Sequence, residues 1–186
     1  PNTEMINDWR TTLIKDYVIY SDPNTTVLKV ETEKGKAVII GDIFVSHGKS
    51  EVNDVVKTFI EKEDWDEFDK LSGRFACVVF LQDEVRVLHD PFGARTVYYR
   101  QEGDVCISSH ASLAAELFGE KISERIRSFI KLPEYSKRGT GYLPGDYTMY
   151  ENIKALIPNN YYDITKRETV RYWPRKEINN VTIEDF

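Results

Sequence analysis

Positive charge is in short supply in this 186-residue sequence: 25 Lys and Arg stand against 31 Asp and Glu, for a formal net charge of −6. Phosphate binding needs a basic patch and none stands out, so no nucleic-acid partner is expected. Long apolar runs are missing as well. None approaches the roughly twenty residues that cross a bilayer as a helix. The opening PNTEMINDWR is polar and unlike a secretory signal. No membrane partner and a cytoplasmic location are therefore expected. Histidine is limited to His47, His89 and His110, with no Asp, Glu or Cys beside them at metal-ligand spacing, so no metal site is expected. The two cysteines, Cys77 and Cys106, sit inside apolar strand-like runs, which predicts buried free thiols and no disulfide. Internal repeats and low-complexity stretches are absent.

What remains is enough for one well-buried domain. Aromatics are plentiful, with eleven Tyr. Thr11–Tyr20 and Thr26–Thr32 are β-rich runs split by a turn at Ser21–Asn24, and Lys34 and Gly35 turn the chain into Ala37–Ile40. Val52, Val55, Val56, Phe59 and Ile60 recur on one face of a helix, with Ser50 as the expected N-cap. Shorter helices are expected at Ser109–Phe118, ended by Gly119, and at Ser123–Lys131. The acidic run Glu61–Asp69 reads as a solvated helix end and connection. Phe75–Leu81 is apolar without alternation, as in a strand covered on both faces, whereas Glu84–His89 alternates. Thr96–Arg100 and Val105–Ser108 form a hairpin. Beyond Pro133 further strands are expected at Tyr147–Tyr150, Tyr161–Ile164 and Thr169–Trp173. Adjacent hairpins with few helices predict an α+β domain of antiparallel sheets flanked by helices.

Two stretches carry a family resemblance. Residues 71–80 read LSGRFACVVF, residues 89–99 HDPFGARTVYY and residues 107–113 ISSHASL. They are similar to the "L-x-G-x-F-A" strand, the "R-D-x-x-G-x-[KR]-P-L-Y-Y" hairpin and the "A-S-E-x-K-A-L" helix start of asparagine synthetases. Residues 141–150 (GYLPGDYTMY), 153–160 (IKALIPNN) and 171–174 (RYWP) look like that family's "G-Y-x-P-G-x-x-T-x-F-x-x-I-x-x-L-x-P-G-x-Y" segment and closing "R-Y-W". The chain thus resembles the amino-terminal class II glutamine amidotransferase domain of the asparagine synthetase family, in the family's order over residues 71–174. The resemblance implies the Ntn-hydrolase fold, a four-layer αββα sandwich. It implies an amidotransferase-like domain over 1–174 and an exit segment over 175–186, leading towards an ATP-dependent synthetase domain. Asp90, Gly93 and Arg95 form the family-motif turn. Asp before Pro91 and Gly93 also has the chemistry of a tight turn in its own right.

The chemistry of the family is incomplete here. Its nucleophile is an N-terminal Cys whose own α-amine serves as base, and residue 1 is Pro. Thr3 is not terminal, and Cys77 and Cys106 lie within the sheet-forming blocks. The "N-G-E-I-Y-N" strand end corresponds to Ile40, Gly41, Asp42, Ile43 and Phe44. Gly41 is kept, Asp42 is a shorter carboxylate, and Ile40 replaces the oxyanion-hole Asn, a loss on the order of 3 kcal/mol. The family's amine-binding element falls near Glu51, Val52, Asn53 and Asp54, with Val52 in the Asp position unless a one-residue shift supplies a carboxylate. The "H-R-G-P-D" loop has no counterpart. Gly41, Asp42 and Asp54 are therefore read as a vestigial substrate pocket without a catalytic residue.

No cofactor is expected in this chain, because ATP and Mg belong to the synthetase domain, whose "S-G-G-x-D-S" loop has no match. The expected partner is that domain, in cis or in trans, with a homodimer as a further arrangement. Among relatives, β-lactam synthetases and lasso-peptide cyclases also lack the Cys. The alternatives are a true glutamine-hydrolysing asparagine synthetase fragment and a stand-alone binding module. His89 replaces the family's Arg and reads as a structural, satisfied histidine. Gly139, Thr140 and Gly141 read as a loop, and Tyr142, Tyr147 and Tyr150 as contact aromatics for a neighbouring domain.

Overall fold

A computed structural model describes residues 4–137, 139 and 141–176. It is a mixed α/β structure of antiparallel sheets with few helices, consistent with the α+β expectation.

The β-rich run over Thr11–Tyr20 is a hairpin of its own, β1 (Arg10–Ile14) against β2 (Tyr17–Ser21). The break falls at Lys15 and Asp16. Lys15 takes φ 50°, a left-handed conformation usually left to Gly or Asn. Its ammonium donates to the carbonyl of Leu81 at 2.6 Å, which ties the turn to the main sheet. No glycine marks this turn, so the sequence hid it.

The main sheet has six strands in the order β11-β10-β6-β5-β4-β3. β3 (Val27–Glu31) turns into β4 (Lys36–Val45), which pairs with β5 (Leu71–Phe80) along a ladder from Lys36↔Phe80 to Val45↔Leu71. β6 (Val85–His89), β10 (Asn160–Asp163) and β11 (Glu168–Arg171) complete it. Successive side chains on a strand face opposite ways, and both faces of β4 and β5 are covered. On one side Ala37, Ile39, Phe75, Cys77 and Val79 form a cluster with Val55, Val56, Phe59 and Ile60 of α1 (Val52–Lys62). On the other, Val38, Phe80, Val85 and Val87 pack with Val97, Tyr99 and Leu156. The latter residues lie on or beside the smaller sheet β8-β7-β9, made of β7 (Tyr98–Arg100), β8 (Ile107–Ser108) and β9 (Ile153–Ala155). Tyr99 stacks on Tyr162 at 4.1 Å and joins the two sheets. α3 (Ala111–Phe118), closed by Gly119, sets Ala114 and Ala115 against Ile153.

Several expectations are corrected. Glu51, not Ser50, caps α1, and without a side-chain bond. The acidic run Glu61–Asp69 contains α2 (Trp65–Phe68), capped by the Asp64 carboxylate. α2 buries Phe68 and stacks Trp65 on Tyr172 at 4.5 Å, so apolar packing overrides the local charge. β6 does not alternate: Arg86 is also buried, held by ion pairs to Glu63 and Glu84 and lying over the Tyr161 ring at 5.2 Å. Tyr147–Tyr150 forms only isolated bridges, and the strand in this region is β9. α4 (Glu124–Ile130) is capped by Ser123 as its sequence suggests. α5 (Pro133–Lys137) begins at the proline where strands were expected to follow. Cys77 and Cys106 are free thiols, the first buried and the second half-buried. Among the described residues no helix is long and apolar enough to cross a membrane.

Candidate functional site

The β6–β7 connection is organised by one carboxylate. Asp90 is fully buried. Its Oδ1 accepts the backbone N–H groups of Phe92 (3.2 Å) and Ala94 (3.0 Å), and its Oδ2 accepts that of Arg95 (2.8 Å). The Gly93 N–H donates to the Asp90 carbonyl at 2.8 Å, closing the turn with Gly93 at φ 65°. This is the tight turn that the Asp-Pro-Phe-Gly string predicts. Asp90 is thus a scaffold group whose acceptors are spent on the backbone.

His89 beside it is buried, with Nδ1 2.8 Å from the Asp90 carbonyl and Nε2 3.1 Å from that of Leu156. The ring bridges the turn to the segment after β9, which agrees with a structural histidine.

The turn delivers Arg95 to Gly41 on β4. Gly41 has φ 113°, and a Cβ there would lie 2.3 Å from the Arg74 carbonyl oxygen and 3.1 Å from an Arg95 guanidinium nitrogen. Only glycine fits this approach, whatever chemistry the position serves. The neighbouring Asp42 is exposed and accepts a long 3.5 Å bond from Thr26 Oγ1. Among the described residues the Arg95 guanidinium makes no hydrogen bond or ion pair. Burial, helped by nearby Arg74, pulls its pKa below the ordinary arginine value, and Asp42 opposes that shift. Of the sequence-predicted positions, Gly41, Asp42, Asp90, Gly93 and Arg95 therefore come together. Asp54 does not join them: it is an exposed residue in the first turn of α1, with no side-chain link to the group among the described residues.

Beside Arg95 lies a cavity of about 470 Å³ between the β1–β2 hairpin, the main sheet and the start of α3. Ile40, Ala76 and Val78 line it from the main sheet, and Asp22, Arg95, Ser109 and His110 are among its polar lining residues. Ser109 Oγ is 2.9 Å from His110 Nδ1, a pair that sequence reading did not single out. Among the described residues no carboxylate is hydrogen-bonded to His110, as an activated Ser–His pair would require.

The thiols are not poised for attack. Desolvation pushes Cys77 up to about 12, on the helix-covered face of β5. Cys106 rises to about 11, chiefly through burial, with Arg100 lowering and Glu120 raising it. Thiolate, the nucleophilic form, is scarce at neutral pH for both. Among the described residues no group of His, Cys, Asp or Glu is arranged to hold a metal ion.

The remaining candidates divide. Thr140 lies outside the described residues; Gly139 and Gly141 both have positive φ. Tyr142 is exposed, whereas Tyr147 is engaged by Arg125 (2.6 Å to its hydroxyl) and Lys154, and Tyr150 packs near α3. Arg175, at the start of the expected exit segment, is paired with Asp66 and Asp69 at 2.5 Å each. Residues 177–186 of that segment lie outside the described residues. No known-family profile matches this chain, and a search of curated proteins finds no match.

Proposed function

We propose that this chain is a degenerate glutamine-amidotransferase-like domain of the asparagine synthetase family, one that keeps the scaffold and has lost glutamine hydrolysis. Its role is then structural, as a docking partner for an ATP-dependent amide-forming domain, in cis or in trans, that would hold the ATP and Mg.

The observation that carries the reading is Ile40. It stands where the family's amide donor belongs, beside a retained Gly41, and it lines an apolar cavity wall. An aliphatic side chain donates no hydrogen bond to a developing oxyanion. One buried and one half-buried thiol, both with raised pKa values, supply no substitute nucleophile. The finer fold reading, a four-layer Ntn-type sandwich, is supported by three successive apolar clusters. These run from α1 through the main sheet, on to the smaller sheet, and then to α3. Docking is supported by exposed apolar side chains at Phe92, Ile157 and Trp173.

A glutaminase assay on the full-length gene product tests the loss of activity: glutamate release above the spontaneous rate would favour the glutamine-hydrolysing alternative. A pyrophosphate-loop motif in coding sequence beyond Phe186 would support the docking role, and continuation without one would favour a stand-alone module.

A further inference from the structure

We propose that the cavity between the β1–β2 hairpin and the main sheet is a binding site for a small carboxylate carrying a hydrocarbon tail, with Arg95 as its anion partner. This goes beyond the amidotransferase-like reading and does not depend on it.

Three observations converge. The first is size and lining. At about 470 Å³ the cavity is in the range of small-molecule sites. Its walls are chiefly aliphatic and aromatic side chains, among them Ile19, Ile40, Val78 and Ile107. Such a wall has little to offer a polar amide and much to offer a hydrocarbon chain.

The second is the unpaired cation. Arg95 is half-buried and lines the cavity, yet its guanidinium has no hydrogen-bond or ion-pair partner among the described residues. Its neighbour Arg74 is a second cation, whose Nε donates to the carbonyl of Ala94 at 3.0 Å. Asp42 is exposed and forms no ion pair with it among the described residues, and Asp22, which also lines the cavity, has its Oδ1 engaged by the Asn24 N–H at 2.8 Å. A desolvated guanidinium gains most from an anion that it can grip with two parallel N–H donors, which a carboxylate matches in geometry.

The third is the way Arg95 is held. Its backbone N–H is fixed by the Asp90 carboxylate at 2.8 Å, and Gly41 leaves room for the guanidinium. The cation is therefore positioned from a rigid turn, not from a free loop. A guanidinium on one side and an apolar chamber on the other define an amphipathic anion. Glutamine, polar at both ends, does not fit that pattern.

The test uses octanoate, octanol and glutamine as probes, read by chemical-shift perturbation in ¹H–¹⁵N spectra of the folded chain. Octanoate is expected to shift residues lining the cavity. It should bind roughly ten- to a hundredfold more tightly than octanol, the range a charge-assisted hydrogen bond supplies. Arg95→Met removes a side chain with no hydrogen bond or ion pair among the described residues, so the fold should survive. That variant should bring octanoate to the level of octanol while leaving octanol unchanged. Ala76→Leu, which adds bulk to the cavity lining, should weaken both. Equal affinity of octanoate and octanol for the parent protein would overturn the proposal. So would a preference that persists in Arg95→Met, shifts that map away from the cavity, or glutamine binding as tightly as octanoate.

Discussion

Asp90 offers a sharp perturbation, because its carboxylate accepts three backbone N–H donors, its hydrogen bonds among the described residues. Asn is nearly isosteric but has one acceptor oxygen. It can keep the bonds to Phe92 and Ala94 and then presents an N–H to the N–H of Arg95. One charge-assisted bond is lost and a buried donor is left unpaired, which costs about 2–3 kcal/mol. Ala removes all three acceptor bonds, for about 4–6 kcal/mol once non-additivity is allowed for. Against a typical total of about 5–15 kcal/mol, the second loss endangers the fold itself. For a chain of this size each kcal/mol shifts Tm by about 2–4 °C. Asn should therefore lower Tm by about 4–12 °C, and Ala by about twice as much. Thermal unfolding followed by far-UV circular dichroism measures both. If the two variants melt together, or neither melts below the parent, Asp90 does not organise the turn as described.

Further outcomes follow from other contacts. Gly41→Ala should cost about 2 kcal/mol or more in urea unfolding, since Ala at φ 113° is strained and its Cβ meets the Arg74 carbonyl at 2.3 Å. Trp65→Ala should lose about 3–5 kcal/mol by removing the stacks on Tyr172 and Tyr161, while Trp65→Phe should recover much of it. Both thiols should resist a disulfide reagent at pH 8 in the native protein and react fully in denaturant. The reaction of Cys106 should climb with pH towards its value of about 11. Burial favours the protonated thiol, so the folded chain keeps protons that the unfolded chain releases. Stability therefore falls as pH rises past the ordinary thiol value of 9.0.

The sequence made the centre of the molecule readable and its edges much less so. Residues 75–81 are apolar without alternation because β5 is covered on both faces, and the 3.6-residue spacing of Val52 to Ile60 marks α1's buried stripe. Both signals are long and arise from burial. Lys15 and α2 were hidden for the opposite reason. A lysine holds a positive φ without a glycine to announce it, and four residues amid acidic neighbours fold because Phe68 and Trp65 reach partners distant in sequence. The alternation of Glu84–His89 sets Arg86 opposite the valines but does not announce its burial, which depends on Glu63 and Tyr161 that only the fold brings near. At the site, the Asp90 turn was legible in four consecutive residues. The meeting of Arg95 with Gly41 was not, because it depends on the β4–β5–β6 register.

Glutamate release from glutamine tests most directly whether scaffold and reaction have parted. The purified chain, folded by circular dichroism, should yield no glutamate above the rate of glutamine alone at any pH between neutral and mildly alkaline. Release that saturates with glutamine and disappears in Asp42→Ala would contradict the account, because it would place a working hydrolytic centre at the strand end where Ile40 stands.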